Sequence, residues 1–164
     1  MPSSASPDQA DALYHALKRY TAAVRRDRRL ATPPARSLSM RSADGSSTLT
    51  LDLIEQGGVV QDIGYRVRAC SLTQATTAIL VQRATGITRE QLQRVRGQLE
   101  TLLRTGGGSC DWPELEILAP ISDIPTRHDT VLLPFRALDA LLAPQDESRA
   151  HSTHPLQGDH HGCA

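Results

Sequence analysis

One cysteine near the middle of the chain has neighbours that favour thiol chemistry. Cys70 follows residues 65 to 69, whose apolar and charged side chains alternate as in a strand. Ser71 comes next and can cap a helix rich in Ala and Thr. The N–H groups and positive dipole of that helix would then favour a thiolate at Cys70, the form that binds metals and attacks sulfur. The alternative is a small buried core residue, the commonest fate of a free cysteine.

The other cysteines lack such neighbours. Cys110 follows a Gly-rich loop and Cys163 lies near the C-terminus. Three widely spaced cysteines do not make a disulfide framework. The tail that carries Cys163 predicts disorder with incidental affinity for transition metals, and the alternative is a dedicated metal site. Its imidazoles are His151, His154, His160 and His161.

Composition and charge exclude several classes of partner. The 164 residues include 18 basic and 18 acidic side chains, so no basic excess indicates nucleic acid or an anionic membrane surface. No apolar run approaches the length of a membrane span. The N-terminal Met1-Pro2-Ser3-Ser4 is polar and does not resemble a signal sequence. The sequence therefore predicts a cytoplasmic protein with neither a nucleic-acid nor a membrane partner.

Alternating residues before Cys70 predict a small antiparallel sheet. Leu49, Leu51 and Leu53 share one face of the first predicted strand, Gly57-Gly58 turns the chain, and Gly64 separates the second strand from the third. The predicted strands are residues 48 to 53, 59 to 63 and 65 to 69. They form a three-stranded meander with one polar face, and the other face needs cover.

Helical patterns flank this sheet. Helices are predicted from about Asp8 to Arg26, from Leu72 to Ala84, from Thr88 to Gly106 and from about His128 to Leu142. Thr88 opens a capping box, and Pro134 is expected near the first turn of the last helix. An irregular stretch is expected up to Ser47. The fold class is α+β, a three-stranded antiparallel meander covered on one face by helices. Its domain spans residues 8–143, between a disordered N-terminus (1–7) and a His-rich disordered tail (144–164).

Arginines cluster where the first predicted helix ends. They are Arg25, Arg26, Arg28 and Arg29. Cations suit the negative C-terminus of a helix, so the pattern is typical of a helix end. A docking patch for an acidic partner is the alternative interpretation.

The segment from Val67 to Ala75 resembles the region around the central cysteine of the IscU/NifU/SufU-type iron–sulfur cluster scaffold proteins, where a strand ends in Gly-Cys and a helix begins with a small polar run. Residues 124–130 and 133–138 resemble that family's Phe-Pro-Ala-Arg and helical Trp-Lys-Ala-Leu segments. The resemblance covers about residues 8 to 142 and implies the same fold. The stretch from Trp112 to Ser122 is more similar to the SufU group.

The chain departs from this family at two of its three cysteines. The first belongs to a Cys-Gly-Asp turn just before the first strand, where this chain has Ser42-Ala43-Asp44. The third falls where this chain has Thr130. The resemblance therefore implies one retained thiol and a mixed candidate metal set. That set is Asp44, Cys70, His128 and Asp129.

The resemblance leaves three functions open. Iron–sulfur clusters are held by about four thiolates, so a cluster here would be weakly held, whereas zinc accepts mixed donors at ~2.0–2.3 Å. The chain is either a scaffold-like protein that accepts sulfur on Cys70 from a cysteine desulfurase, a zinc-dependent sulfur acceptor of SufU type, or a non-catalytic pseudo-scaffold that binds a pathway partner. None of the three requires enzyme activity. Arg68 and Arg127 are expected near the sulfur, which predicts a Cys70 pKa below ~8.5.

Overall fold

The computed structural model of the protein describes residues 7 to 33 and 35 to 144. The elements are α1 (Pro7–Ala23), β1 (Arg36–Arg41), β2 (Thr48–Gln56), β3 (Val59–Arg68), α2 (Ser71–Arg83), α3 (Arg89–Thr105), the 3₁₀ segments Pro113–Asp123 and Pro125–Arg127, and α4 (His128–Leu142). The expected α+β class is confirmed. The predicted disordered N-terminus and His-rich tail lie outside the described residues, apart from Pro7 and Pro144.

The sheet has the order β1-β2-β3 and is antiparallel throughout. The predicted number of strands is right, but their bounds are wrong. β1 lies in the stretch that was expected to be irregular, and the predicted second and third strands are the single strand β3, which continues through Gly64. β1 escaped detection because it is a short edge strand in which half-buried and exposed side chains alternate, and two of its residues are serines.

The inner face of the sheet is the centre of the core. Leu49, Leu51 and Leu53 of β2 are fully buried, as their alternation predicted. α4 packs against β1 and β2, and α2 packs against α4 and β3. Burying each leucine contributes about 1.5–3 kcal/mol, so this face anchors the helices that lie beside Cys70.

A strap of three residues, Arg28 to Leu30, crosses the outer face of the sheet. Arg28 and Tyr65 form a β-bridge, in which the Arg28 N–H donates to the Tyr65 carbonyl at 2.9 Å. The strap then passes over Gly64, where a Cβ atom would lie 2.6 Å from the Arg28 carbonyl oxygen. Glycine is needed at position 64 because any side chain would meet the backbone of the strap.

The buried carboxylate of Asp52 holds the strap down. Its side chain is fully buried and accepts hydrogen bonds from Arg29 (2.8 and 3.0 Å), the Leu30 N–H (2.8 Å) and the Ser37 hydroxyl (2.5 Å). Burial raises the pKa of Asp52, but these donors lower it by more, so it lies below its ordinary value. Arg28 pairs in turn with Asp62 at the surface. Two of the four clustered arginines therefore secure the strap.

The helix boundaries follow their local signals. The capping box predicted at Thr88 is present, since its hydroxyl accepts from the Gln91 N–H and the Gln91 side chain accepts from the Thr88 N–H. Gly106 ends α3 with a left-handed backbone (φ 76°). α4 begins at His128 as expected, but Pro134 lies inside it, beyond the first turn. Among the described helices, none combines the length and the apolar character that crossing a bilayer requires.

Candidate functional site

Cys70 lies at the junction of β3 and α2. β3 ends at Arg68 and α2 begins at Ser71, so Cys70 is itself the N-cap, with extended backbone angles (φ −65°, ψ 166°). The prediction that Ser71 caps the helix is wrong, because Ser71 is the first helical residue. Cys70 is partly exposed to solvent.

Neutral donors around the sulfur favour its ionised form. Burial raises the pKa of the Cys70 thiol, but the Thr73 N–H, the Thr73 and Ser47 hydroxyls and the Leu72 N–H lower it by more, so the pKa lies below its ordinary value. The Thr73 hydroxyl oxygen lies 3.6 Å from the Cys70 sulfur. The direction expected from the sequence is therefore right, and N–H groups at the start of α2 contribute to it.

The arginines that were expected to assist have other partners. The Arg68 guanidinium donates two hydrogen bonds to Asp27, at 2.9 and 3.1 Å. Arg127 lies close enough to Asp44 to lower the pKa of that carboxyl. Neither arginine is among the groups that lower the pKa of Cys70, so this expectation is not supported. For Arg68 the cause is the position of Asp27, which follows α1 and reaches the exposed face of β3.

Cys110 has the opposite environment. It is only 8% exposed. Burial raises the pKa of its thiol, and the nearby carboxylates of Glu116 and Asp111 raise it further. Cys163 lies outside the described residues. Of the two described cysteines, Cys70 alone is both accessible and poised to ionise.

Asp44 lies in the turn between β1 and β2, residues 42 to 47, and not before the first strand of the sheet. Its carboxylate accepts from the Ser42 hydroxyl at 2.6 Å and from the N–H and hydroxyl of Ser46 at 2.9 and 2.7 Å. These hydrogen bonds lower the pKa of Asp44 to about 2. All of these donors belong to its own turn, so Asp44 closes that turn.

Asp129 and His128, at the start of α4, have separate partners. The Asp129 carboxylate accepts the Ala43 N–H at 2.7 Å and forms an ion pair with Arg136, about two turns further along α4. The His128 Nε2 lies 3.0 Å from the Ile121 carbonyl oxygen. Asp129 therefore faces the β1–β2 turn, whereas His128 contacts the 3₁₀ segment.

These donors do not fit an iron–sulfur cluster. Only one of them is a thiolate, whereas a cluster is held by about four. Within residues 7–33 and 35–144, no three His, Cys, Asp or Glu side chains come together in a way that could hold a metal ion. Asp44, Asp129 and His128 are each hydrogen-bonded to the chain itself. The metal set predicted from the sequence remains a prediction. In this geometry, three of its four side chains are already hydrogen-bonded to the protein and are not free to bind a metal.

Two residues next to the sulfur were missed by the sequence interpretation. Ser47 accepts the Cys70 N–H at 3.2 Å, and Thr73 donates its hydroxyl to the Thr130 carbonyl at 2.8 Å. Pro134 has no N–H to offer that carbonyl in the next helical turn, so the Thr73 hydroxyl takes its place. A signal for Thr73 existed, because a cap residue faces the third residue of its helix. Ser47 gave none, because it is distant from Cys70 in the chain.

Comparison with solved structures identifies proteins with the same architecture. The N-terminal domain of a nitrogen-fixing NifU-like protein from Brucella abortus is 26% identical, has a TM-score of 0.73, and the match covers 80% of this chain and 93% of that one. A candidate iron–sulfur cluster assembly scaffold protein for the SUF system, FiSufU from Fervidobacterium islandicum, is 17% identical with a TM-score of 0.64 over 81% and 98% of the two chains. A hypothetical protein of known structure is 13% identical, with a TM-score of 0.68 over 82% and 98%.

Sequence comparison alone does not find these relatives. No protein-family model matches the chain, and no curated protein matches it. The shared structure extends over almost the whole length of the NifU-like domain. The chain therefore has the fold of the NifU-like and SufU-type proteins, which supports the resemblance to the IscU/NifU/SufU-type family that its sequence indicated.

Proposed function

We propose that this protein is a scaffold-like sulfur acceptor, in which the Cys70 thiolate receives sulfur from a cysteine desulfurase. The observation that carries the proposal is the position of Cys70, an accessible N-cap whose thiol pKa is lowered by surrounding N–H and hydroxyl donors. The likeness to a NifU-like domain and to a SUF-system scaffold candidate supports sulfur chemistry as the context. The desulfurase and a cytoplasmic location are part of this proposal.

The transfer step is a thiol exchange at sulfur. The Cys70 thiolate attacks the terminal sulfur of the persulfide on the desulfurase cysteine. A new S–S bond forms on Cys70 while the old S–S bond breaks, and the desulfurase cysteine leaves as a thiolate. Sulfur is transferred without an external oxidant or reductant.

The test is the sulfur content of the chain after incubation with a cysteine desulfurase and cysteine. Cyanolysis of the repurified protein is expected to release a single sulfur atom per chain, because Cys70 is the one cysteine of the described residues that is partly exposed and has a lowered pKa. The same incubation without the desulfurase is the control. No sulfur above that control would overturn the proposal.

Cluster assembly on this chain alone is expected to fail. Anaerobic reconstitution with iron and sulfide should give little stable visible absorption, because the site offers one thiolate where about four are needed. The measurement is the absorption spectrum after desalting, with iron and sulfide determined on the same sample. A stable brown species with one cluster per chain would contradict the prediction and would require thiols from elsewhere.

The reactivity of Cys70 is expected to have a distinct pH dependence. A lowered pKa means that the thiolate forms at lower pH, so alkylation of Cys70 should reach half its maximal rate at a lower pH than alkylation of a cysteine in a short unstructured peptide. Replacing Ser47 by alanine removes a hydroxyl that lowers the pKa of the Cys70 thiol and should move this midpoint to higher pH. Ser46→Ala, which removes a hydroxyl bonded to Asp44, should leave it in place. Equal midpoints in Ser47→Ala and wild type would contradict the assignment.

A second candidate function, partner binding without sulfur transfer, draws on the outer face of the sheet. Arg41, Arg66 and Arg68 are exposed on this face, at the end nearest Cys70. Asp27 pairs with both Arg66 and Arg68, which leaves positive charge in excess. In a chain with no net charge, this local excess favours an acidic protein surface.

Two measurements, sulfur loading and binding to the desulfurase, distinguish the two candidate functions. A pseudo-scaffold would bind the desulfurase yet gain no sulfur, and a double variant, Arg66→Glu with Arg68→Glu, would weaken that binding in low salt. Binding through these arginines should also decline as salt rises, because exposed charges are screened. Sulfur on the wild-type chain decides for the acceptor. Its absence alongside salt-sensitive binding decides for the pseudo-scaffold.

A further inference from the structure

Three elements around Cys70 are joined by hydrogen bonds of the chain itself. The Cys70 N–H donates to the Ser47 hydroxyl at 3.2 Å, which joins α2 to the β1–β2 turn. The Thr73 hydroxyl donates to the Thr130 carbonyl at 2.8 Å, which joins α2 to α4. The Ala43 N–H donates to the Asp129 carboxylate at 2.7 Å, which joins the turn to α4. Each pair of elements is therefore connected without an ion.

The positions that correspond to the two missing cysteines carry hydroxyl groups with complete hydrogen bonding. Ser42 is 4% exposed; its hydroxyl donates to Asp44 at 2.6 Å and accepts the Ser47 N–H at 3.1 Å. Thr130 is 1% exposed and donates to the Arg127 carbonyl at 2.7 Å. Across the described part of the chain, no buried side-chain nitrogen or oxygen lacks a partner. The hydroxyl groups at both positions therefore have hydrogen-bond partners within the protein and do not need a metal to satisfy them.

The Asp129 carboxylate is the central link. One oxygen accepts the Ala43 N–H and the other pairs with Arg136. A hydrogen bond to a charged acceptor is stronger than one between neutral groups. Because both oxygens are engaged, the carboxylate holds the β1–β2 turn against α4 and is not free to serve a metal without breaking a bond in the protein.

We infer that this network, centred on Asp129, has replaced a metal as the link between the β1–β2 turn, α2 and α4, so that the surroundings of Cys70 are ordered without one. The inference concerns the order of the site and does not depend on sulfur transfer. It accounts for the loss of two thiol ligands together with the complete hydrogen bonding of the hydroxyls that stand in their positions.

Hydrogen exchange of the full chain tests the inference directly. Amide exchange followed by mass spectrometry is compared in zinc and in EDTA, with attention to peptides from residues 41–48 and 128–133. We expect the same protection in both, because the turn is held by the chain itself. Slower exchange of these peptides in zinc, or faster exchange in EDTA, would overturn the inference. Zinc held by imidazoles of residues 145–164 would not reproduce that local effect.

A variant pair tests the role of Asp129. Asp129→Asn should speed exchange in residues 42–46 about tenfold, equally in zinc and in EDTA, because the hydrogen bond from Ala43 then goes to a neutral acceptor and is weaker. The matched control is Asp139→Asn, which removes an aspartate of α4 that pairs with Arg89 and Arg96. It should leave those amides unchanged. Unchanged exchange in Asp129→Asn would overturn the inference, and if that variant does not fold, the zinc and EDTA comparison on the wild type still decides.

Discussion

Replacing Cys70 by serine is expected to abolish the acceptance of sulfur, while replacing Cys110 by serine should leave it at the level of the wild type. The reason is the difference between the two thiols. The Cys70 thiol is accessible and its pKa is lowered, whereas burial and two nearby carboxylates raise the pKa of Cys110. The thiolate is the attacking species, so of these two thiols Cys70 forms the required species more readily.

The measurement is sulfur released by cyanolysis from each variant after incubation with a desulfurase and cysteine. Circular dichroism of both variants serves as the folding control. Both variants are expected to fold, because serine is close in size to cysteine. Full sulfur loading of Cys70→Ser would show that another thiol accepts sulfur. Loss of loading in Cys110→Ser at unchanged fold would point to Cys110.

Of the substitutions named above and below, Asp52→Ala is expected to lower the free energy of unfolding the most. Asp52→Ala leaves the Leu30 N–H and the Ser37 hydroxyl without their acceptor and releases the strap from the sheet. Breaking a buried ion pair by removing one partner costs about 3–5 kcal/mol. We expect the lower end of that range, because the Arg29 side chain is 41% exposed and can turn to water. Chemical denaturation of wild type and variant gives the free energy of unfolding.

A neighbouring aspartate provides the control. Asp62 pairs with Arg28 on the same strap, but both side chains are largely open to solvent (42% and 50% exposed). Exposed ion pairs contribute about 0–1 kcal/mol, so Asp62→Ala should cost much less than Asp52→Ala. Equal losses in the two variants would contradict the view that the buried carboxylate holds the strap.

The contribution of Asp52 should also depend on pH. Its pKa is lowered in the folded chain, so its contribution to stability is fully present above the unfolded value of ~3.9. The contribution is lost as the pH falls below that value and through the pKa of the folded state. Asp52→Ala should therefore lose less stability on acidification than the wild type. Parallel loss in both chains would exclude Asp52 as a source of the acid sensitivity.

The fold was predictable from the sequence to the extent that local periodicity determines it. The alternation of Leu49, Leu51 and Leu53 and the capping box at Thr88 each predicted an element that the structure contains. β1 was not predicted in this way, because its apolar face consists of only two half-buried residues, Leu38 and Met40, in a short edge strand. The continuation of β3 through Gly64 was hidden because a glycine usually marks an interruption, and here it makes room for the strap.

The candidate site was likewise predictable only where local sequence determines it. The position of Cys70 at the end of a strand was readable from sequence, as was the direction of its pKa shift. The source of that shift was not, since Ser47 is distant in the chain and Arg68 is taken by Asp27, which only the folded structure brings near. The engagement of Asp129 by Ala43 is likewise a tertiary contact that no local pattern encodes.

The central claim is that Cys70 is the functional thiol, and peptide mass spectrometry of the wild-type chain tests it most directly. The chain is incubated with a cysteine desulfurase and cysteine, its thiols are blocked at successive times, and the peptides that carry each cysteine are compared. The account predicts added sulfur on the Cys70 peptide before the peptides of Cys110 and Cys163. Sulfur that appears on Cys110 or Cys163 as early as on Cys70 would contradict it.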